Sequence, residues 1–356
     1  MEIGIVGLPN VGKSTLFNAI TAAGIPAENF PFCTIEPNVG VATVIDARLD
    51  RLAAIFESEK IVPASVRFID IAGIVKDAHK GEGLGNKFLS HIREVDAICH
   101  VVRCFEDPNV IHVDGTVNPG RDIEVIEYEL VLADIETVQR RYGRSEKASK
   151  GDPTLKPEVE FLRALEEHLA AGKAARSHPV PDDMKSVMRE LCLLSAKPAL
   201  FCANVAESDL PDGNAAVALL REHGETVVVS AAIEAEIATL AGDERAEFLS
   251  SIGLERSGLE RLVSAAYRLL GLETYLTAGP KEARAWTYHR GMRAPAAAGV
   301  IHSDFERGFI RAEVVSYADL DQLGSMAKVR EVGKLRSEGK EYVMQDGDVV
   351  VFKFNV

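Results

Sequence analysis

Residues 7–14 have the types and the spacing of a phosphate-binding loop. The sequence Gly-Leu-Pro-Asn-Val-Gly-Lys-Ser fits the pattern G-x-x-x-x-G-K-[ST]. In such a loop, backbone N–H groups surround phosphate oxygens, the lysine reaches the outer phosphates and the hydroxyl binds Mg²⁺. The spacing therefore predicts binding of a nucleoside triphosphate with Mg²⁺, and Lys13 is expected to stabilise charge during phosphoryl transfer. The expected nucleotide contacts are Asn10, Val11, Gly12, Lys13, Ser14 and Thr15.

The segments around this loop predict an α/β fold that would position it. Short apolar runs at residues 3–6, 66–71 and 97–102 alternate with helical stretches, and the pattern resumes at residues 199–203 and 226–229. Near-continuous apolar strands separated by helices are typical of a parallel sheet covered on both faces. The loop would then join the first strand to a helix N-terminus, whose dipole favours phosphate.

Three further residues are candidates for the phosphate and metal side of the site. Asp70 and Gly73 fit the pattern D-x-x-G at the end of a predicted strand. Asp70 is expected to help hold Mg²⁺, and the backbone N–H of Gly73 to turn toward a γ-phosphate. Thr34 lies in the irregular stretch between the two phosphate elements and is expected to add a hydroxyl ligand to Mg²⁺, with a simple turn threonine as the alternative.

Composition excludes several classes of protein. The 356 residues include 47% hydrophobic residues, but no apolar run approaches the roughly 18 residues of a membrane span. The five cysteines form no C-x-x-C pair, so no zinc site is indicated. A formal net charge of −14 disfavours indiscriminate nucleic-acid binding. We expect a cytoplasmic protein that acts as a monomer and does not bind membranes.

The middle of the chain predicts a helical hairpin. Ile123, Ile126 and Leu130 recur at helical spacing, and a second set begins at Leu162. The predicted loop between the two helices is basic, and either a solvated loop or a contact with a phosphate backbone would explain it. Its basic residues are Arg140, Arg141, Arg144, Lys147, Lys150 and Lys156.

Shifts in pattern predict four parts along the chain. The nucleotide-binding domain would comprise residues 1–120 and 198–278, with the hairpin inserted at residues 121–197. A small mixed α/β module would occupy residues 279–356. In this module, basic residues surround the only tryptophan, Trp286, which is compatible with RNA contact or with an ordinary charged surface.

Several motifs together resemble the YchF/Obg-like ATPase family. They lie at residues 7–15, 30–38, 70–73, 80–86, 102–106 and 352–356, so the resemblance covers the whole chain. It implies a P-loop G domain with an inserted α-helical (coiled-coil) hairpin and a C-terminal TGS domain of the β-grasp type. It also implies association with the ribosome, with RNA contacts to the large subunit through the hairpin and the TGS domain.

The base-recognition segment departs from the GTPase pattern. Related GTPases end a late strand with N-K-x-D, whereas here the predicted strand ends in Asn204-Val205-Ala206-Glu207. A longer carboxylate and a missing lysine weaken the pairing that guanine needs. The resemblance implies a preference for ATP, with Asn204, the backbone near Val205 and Glu207 around the adenine. Ser230, after the next strand, would close the base pocket.

The resemblance also implies two catalytic features. Many GTPases orient the attacking water with a glutamine after the D-x-x-G motif, but this chain has Ile74. The resemblance assigns that role to His112, while His79 is a competing candidate. In related P-loop enzymes, an asparagine at the position of Asn10 helps to hold K⁺ near the phosphates, so K⁺ is expected beside Mg²⁺.

The resulting hypothesis is a ribosome-associated enzyme that slowly hydrolyses ATP in preference to GTP. A translational GTPase is the alternative within the same class. A nucleotide-dependent scaffold with negligible hydrolysis is the alternative from a different class, and the apolar Ile74 is its motivation.

Overall fold

The computed structural model describes residues 1–23, 38–71, 84–113 and 115–355. Its strands are β1 Glu2–Val6, β2 Val39–Thr43, β3 Ile61–Val62, β4 Ser65–Asp70, β5 Ala97–Arg103, β6 Ala199–Asn204, β7 Thr226–Val229, β8 Leu272–Ala278, β9 Ala283–His289, β10 Phe309–Ser316, β11 Arg336–Glu338 and β12 Asp348–Phe354. Its α-helices are α1 Lys13–Ala23, α2 Ala47–Phe56, α3 Leu84–Glu94, α4 Pro119–Ser149, α5 Lys156–Ala170, α6 Lys185–Leu191, α7 Ala215–His223, α8 Ala231–Ile237, α9 Gly242–Ser251, α10 Gly258–Leu269, α11 Ala294–Ile301, α12 Ser303–Arg307, α13 Tyr317–Leu323 and α14 Met326–Glu331.

The first sheet has the strand order β2-β4-β1-β5-β6-β7. β1 pairs in parallel with β4 and β5, and the pairs β5–β6 and β6–β7 are also parallel. Every residue of β5 is buried, as expected for a strand covered on both faces. Because parallel strands end at the same edge, the segments after β1, β5, β6 and β7 meet there, together with Asp70 at the end of β4. The predicted α/β fold class is confirmed.

The described chain forms two compact units. The first comprises Met1–Gly40 and Arg67–Leu262, and the second comprises Val41–Val66 and Val263–Val356. The four-part division predicted from sequence stays a prediction. The compact units add one finding to it, because residues 41–66, which the sequence places inside the nucleotide-binding domain, pack with the C-terminal residues.

The second unit is built on a mixed sheet with the order β11-β10-β12-β8-β9-β3. Its central strand β8 pairs antiparallel with β9 and parallel with β12. Neighbouring residues of β8 point to opposite faces, so Tyr275 belongs to the core that includes α11 and Leu276 to the core that includes α2. Leu49 and Leu52 of α2 are buried in that second core. The unit therefore depends on a helix and a strand from the N-terminal third of the chain.

We expect Leu52→Ala to destabilise the second unit by about 2–5 kcal/mol, because it removes a fully buried leucine from a packed core. Trp286, the only tryptophan, packs against the α11 core of the same unit and reports its unfolding by fluorescence. Ile45→Ala is the matched control, since Ile45 is 52% exposed. An unchanged unfolding midpoint for Leu52→Ala would contradict this role of α2.

The helices α4 and α5 form the predicted hairpin. Gln139 Nε2 donates to Glu166 Oε1 at 2.8 Å and Ser145 Oγ donates to Glu158 Oε1 at 2.7 Å, so later residues of α4 meet earlier residues of α5 and the helices are antiparallel. Although α4 has 31 residues, no helix within the described ranges is long and apolar enough to cross a membrane.

The prediction of a long basic loop in this hairpin is wrong. The helix α4 continues to Ser149, so Arg140, Arg141, Arg144 and Lys147 are helical residues rather than loop residues. Gly143 does not end the helix, because the surrounding arginine, glutamate, lysine and alanine residues favour a helix and one interior glycine costs only about 1 kcal/mol.

Candidate nucleotide-binding site

A cavity of about 900 Å³ lies at the edge of the first sheet where its parallel strands end. Its walls come from the phosphate-binding loop and from the segments after β5, β6 and β7. The predicted site residues among its lining are Asn10, Gly12, Lys13, Ser14, Thr15, Asn204, Val205, Glu207 and Ser230. The fold thus brings together predicted residues from three distant parts of the sequence around one cavity.

The conformation of the phosphate-binding loop depends on its glycines. Gly12 has a φ of +94°, and a Cβ at this position would lie 2.2 Å from Asn204 Nδ2. At Gly7, a Cβ would lie 2.7 Å from the carbonyl oxygen of Val101. Larger residues would therefore push the loop away from β5 and β6, so the glycine spacing reflects close packing as well as access for phosphate.

The phosphate end of the cavity contains an ion pair. Lys13 Nζ donates to Asp70 Oδ1, and both side chains are mostly buried. Asp70 is the last residue of β4, and the register between β1 and β4 sets it opposite Ile5, close to the start of the phosphate-binding loop. The structure therefore brings together two residues from separate motifs: Lys13, which the sequence assigns to the outer phosphates, and Asp70, which it assigns to Mg²⁺. The predicted site residues Thr34 and Gly73, and the competing His79, lie outside the described residues.

The oxygen donors at this end fit Mg²⁺. Ser14 contributes a hydroxyl and Asp70 a carboxylate, and Mg²⁺ is commonly held by one or two carboxylates together with substrate phosphates and water. Within the described part of the chain, no group of three His, Cys, Asp or Glu side chains could hold a metal ion.

Asn204 links three segments of the pocket. It is 4% exposed, its Nδ2 donates to the Val11 carbonyl at 2.8 Å and its Oδ1 accepts from the Ala231 N–H at 2.9 Å. Val11 itself points into the core and contributes this carbonyl rather than a side chain to the site. The sequence predicted contact between Asn204 and the base, which stays a prediction. The structure adds that this amide ties the phosphate-binding loop to the N-terminus of α8.

The wall beyond Asn204 contains no lysine. Val205 is buried and its backbone N–H donates to the Val229 carbonyl at 2.9 Å, whereas Glu207 is exposed and begins a short 3₁₀ turn. Ser230 is buried at the N-terminus of α8. Among the residues of this wall that line the cavity, Glu207 is therefore the charged one.

In the loop after β5, the sequence identified His112 as a site residue but not residues 105–110. Phe105, Glu106, Asp107, Pro108 and Val110 all line the cavity. The available signal was their position directly after a buried strand of the same parallel sheet, where ligand-binding loops are found. Cys104 precedes this loop, and burial raises the pKa of its thiol to about 12, so it is a neutral, small apolar group there.

His112 lies next to this cavity but does not line it. His112 lines a smaller cavity of about 400 Å³, whose wall shares Glu106, Asp107, Pro108 and Val110 with the nucleotide cavity. Its Nε2 lies 2.9 Å from Asp122 Oδ2, and both side chains are 2% exposed. The carboxylate comes from the first turn of α4, the first helix of the hairpin. The proposed catalytic histidine is thus held away from the cavity in this structure.

Comparison with known proteins decides the family. A family model described as a 50S ribosome-binding GTPase matches residues 2–136, and YchF-GTPase_C, described as a protein of unknown function, matches residues 272–355. The chain is 56% identical to "Ribosome-binding ATPase YchF" of Bacillus subtilis, with all of both chains covered. The chain belongs to the YchF family. Across this family, it is also 45% identical to "Obg-like ATPase 1" of Oryza sativa, covering all of this chain and 92% of that protein.

A solved member of the YchF family has the same fold. The structure described as the YchF GTPase of Schizosaccharomyces pombe matches with a TM-score of 0.90 and 36% identity, covering 99% of this chain and 97% of that one. The predicted family resemblance is therefore confirmed over the whole length. The descriptions of these YchF proteins disagree on the nucleotide, since the curated relatives are called ATPases and the solved structure a GTPase.

Proposed function

We propose that this chain is a cytoplasmic, monomeric ribosome-binding ATPase that slowly hydrolyses ATP in preference to GTP. One observation carries the proposal. The cavity has Lys13 and Ser14 at its phosphate end, with Asp70 paired to Lys13, and at its other end Val205 and Glu207 replace the lysine and aspartate that guanine recognition uses. The names of the curated relatives support both the ATPase activity and the ribosome as partner.

In the proposed reaction, water attacks the γ-phosphate in line with the leaving oxygen of ADP. Lys13 would leave its ion pair with Asp70 to donate to the outer phosphates and stabilise their charge. Ser14 and Asp70 would hold Mg²⁺, with Thr34 as a further ligand and the Gly73 N–H as a donor to the γ-phosphate. Bound Mg²⁺ would neutralise charge on the phosphate oxygens.

The proposed choice of base depends on the segment 204–207. Glu207 is a longer side chain than the aspartate of the N-K-x-D motif, and position 205 lacks the lysine. Both changes remove the bidentate pairing with guanine. Adenine would then be met by the backbone near Val205, by the Asn204 amide and by the turn after Ser230.

We propose that His112 positions the attacking water after the loop 105–113 changes conformation, because the imidazole is now buried against Asp122. We expect His112→Ala to lower kcat roughly 100-fold while ATP affinity changes little. Phosphate release and equilibrium binding measure the two quantities, with the exposed His91 replaced by alanine as control. If kcat is unchanged, another group positions the water; if the wild-type protein has no turnover, the scaffold hypothesis gains support.

We further propose that Asn10 helps to hold K⁺ beside the phosphates. Its Nδ2 donates to the Ile111 carbonyl at 3.1 Å, so Oδ1 is the atom that would ligate a cation. We expect turnover in KCl to exceed turnover in NaCl roughly tenfold, since the cation would supply charge that an arginine finger supplies elsewhere. Asn10→Ala should remove the difference, and equal wild-type rates in both salts would refute a role for K⁺.

The hairpin is the proposed contact with ribosomal RNA of the large subunit. Arg140, Arg144, Lys147, Lys150 and Lys156 are exposed on α4, at its C-terminal end and at the start of α5. Such a cluster on an acidic chain favours docking at one phosphate-rich place rather than general affinity for nucleic acid.

The C-terminal unit supports the RNA proposal less strongly. Trp286 is engaged inside this unit, because its Nε1 donates to Thr277 Oγ1 at 2.9 Å and the Arg284 guanidinium lies 4.1 Å above its ring. An RNA contact through this unit would therefore use its charged residues rather than stacking on a free indole face.

Side-by-side titration with fluorescent ATP and GTP analogues, in Mg²⁺ and K⁺ buffer with unlabelled competitors, tests the proposed function. ATP binding at least roughly tenfold tighter than GTP binding would support the ATPase, since tenfold corresponds to about 1.4 kcal/mol. Tighter GTP binding would favour the translational GTPase, and binding of neither nucleotide would refute the proposal.

A further inference from the structure

Arg103 is a fully buried cation at the end of β5. It is 1% exposed, and the centre of its guanidinium lies 4.7 Å from the centroid of the Phe105 ring. Its hydrogen bonds go to backbone carbonyls: Nε to Phe105 at 3.1 Å, Nη1 to Val110 at 3.0 Å, Nη1 to Asn10 at 3.5 Å and Nη2 to Asp107 at 3.4 Å. Burial of a cation is costly unless its donors are satisfied, so these carbonyls and the guanidinium require each other.

Three of the four carbonyls belong to one irregular loop. Residues 105–110 lie in neither a strand nor a helix, so the chain has few backbone hydrogen bonds to define its path there. The guanidinium supplies the hydrogen-bond donors that a neighbouring strand would otherwise provide to these carbonyls. Because it is planar and donates in fixed directions, it specifies where each carbonyl must lie.

This loop extends along the nucleotide cavity from one end to the other. At the base end, Phe105 and Glu106 share a small cavity of about 360 Å³ with Ala206, next to the segment that replaces the guanine motif. At the phosphate end, the loop continues to Ile111, whose carbonyl accepts from Asn10. The loop therefore lines the cavity together with residues 204–207 and 230–232.

We infer that Arg103 is a positioning residue for nucleotide selection. It holds the loop 105–110 in the position in which this wall of the cavity distinguishes adenine from guanine. This inference rests on the proposed nucleotide site. The phosphate end has its own support from Lys13, Ser14 and the Asn204 bridge, and the bond from Arg103 to Asn10 is the longest of the four. Loss of the guanidinium is therefore expected to disturb base contacts much more than triphosphate contacts.

Binding of ATP, GTP and inorganic tripolyphosphate to the full chain tests the inference, with Arg103→Lys and Arg103→Gln as variants. We expect ATP affinity to fall roughly tenfold or more, the ratio of ATP to GTP affinity to move toward one, and tripolyphosphate affinity to change less than about threefold. The matched control is Arg261→Lys, since Arg261 also donates to a backbone carbonyl, but that carbonyl belongs to Val228 of β7, at 2.9 Å, rather than to the loop 105–110. A loss of folded protein alone would lower all three signals by the same factor.

Two results would overturn the inference while leaving the proposed function intact: a wild-type ligand profile in folded Arg103 variants, or an equal loss for all three ligands. Failure of the wild-type protein to bind any of them would overturn both. If the variants do not fold, amide hydrogen exchange in the wild-type protein tests whether the loop 105–110 responds to the base. ATP should then protect amides of residues 105–110 more than tripolyphosphate does, and equal protection would overturn the inference.

Discussion

Lys13→Ala is expected to lower ATP affinity about 100-fold or more and to abolish measurable ATP hydrolysis. The ammonium group would form charge-assisted hydrogen bonds to the outer phosphates and stabilise charge on the transferring phosphoryl group, and each tenfold loss corresponds to about 1.4 kcal/mol. In the present structure, the same group pairs with Asp70, the proposed Mg²⁺ ligand. Equilibrium titration and phosphate release measure the two effects.

The stability of the Lys13→Ala protein should change little, because both members of this ion pair retain some exposure to solvent. Lys13→Arg keeps the charge and tests whether the site needs an ammonium rather than the larger guanidinium. As a control, Lys173→Ala removes an exposed lysine from another loop of the same unit. Wild-type affinity and turnover in Lys13→Ala would mean that the phosphates lie elsewhere, and the assignment of the cavity would fail.

Asn204→Ala is expected to impair both binding and stability. Truncation leaves the Val11 carbonyl and the Ala231 N–H without their partner in a buried place, at a cost of about 1–3 kcal/mol for each group. The phosphate-binding loop and the N-terminus of α8 then lose their common anchor, so affinity for ATP and GTP should fall together by roughly 100-fold. Denaturant unfolding and titration with both nucleotides measure these changes.

Glu207→Ala provides the contrast within the same wall. Glu207 is exposed at the start of a turn, so its removal should leave the free energy of unfolding unchanged and alter only the ratio of ATP to GTP affinity. If Asn204→Ala instead changed that ratio at constant stability, Asn204 would act mainly through the base and its bridging role would be unimportant.

Much of the nucleotide-binding fold could be predicted from short-range patterns. The predicted strand at residues 226–229 matches β7, and the runs at 3–6, 97–102 and 199–203 each match an observed strand to within one residue at either end. Buried parallel strands are readable because both of their faces need apolar side chains. The phosphate-binding loop could be predicted equally well, since its glycine and lysine spacing reflects contacts made within one local turn.

Other features depend on residues that are distant in sequence. The packing of α2 with the C-terminal unit involves Leu52 with residues more than two hundred positions away, and nothing in the amphipathic pattern of α2 identifies that partner. The extent of α4 beyond Gly143 was also missed, because a single glycine is a weak local signal compared with the packing and propensity of the whole helix.

The sequence alone therefore predicted the chemistry at the phosphate end: Lys13, Ser14 and Asp70 follow from motifs whose mechanism requires those residue types. The tertiary structure decided how the remaining walls are held. Whether His112 faces the cavity or Asp122, which carbonyls satisfy Arg103, and what Asn204 bridges all depend on which segments meet after folding. Buried polar groups must find hydrogen-bond partners, and their identity is set by three-dimensional proximity rather than by the spacing of residues along the chain.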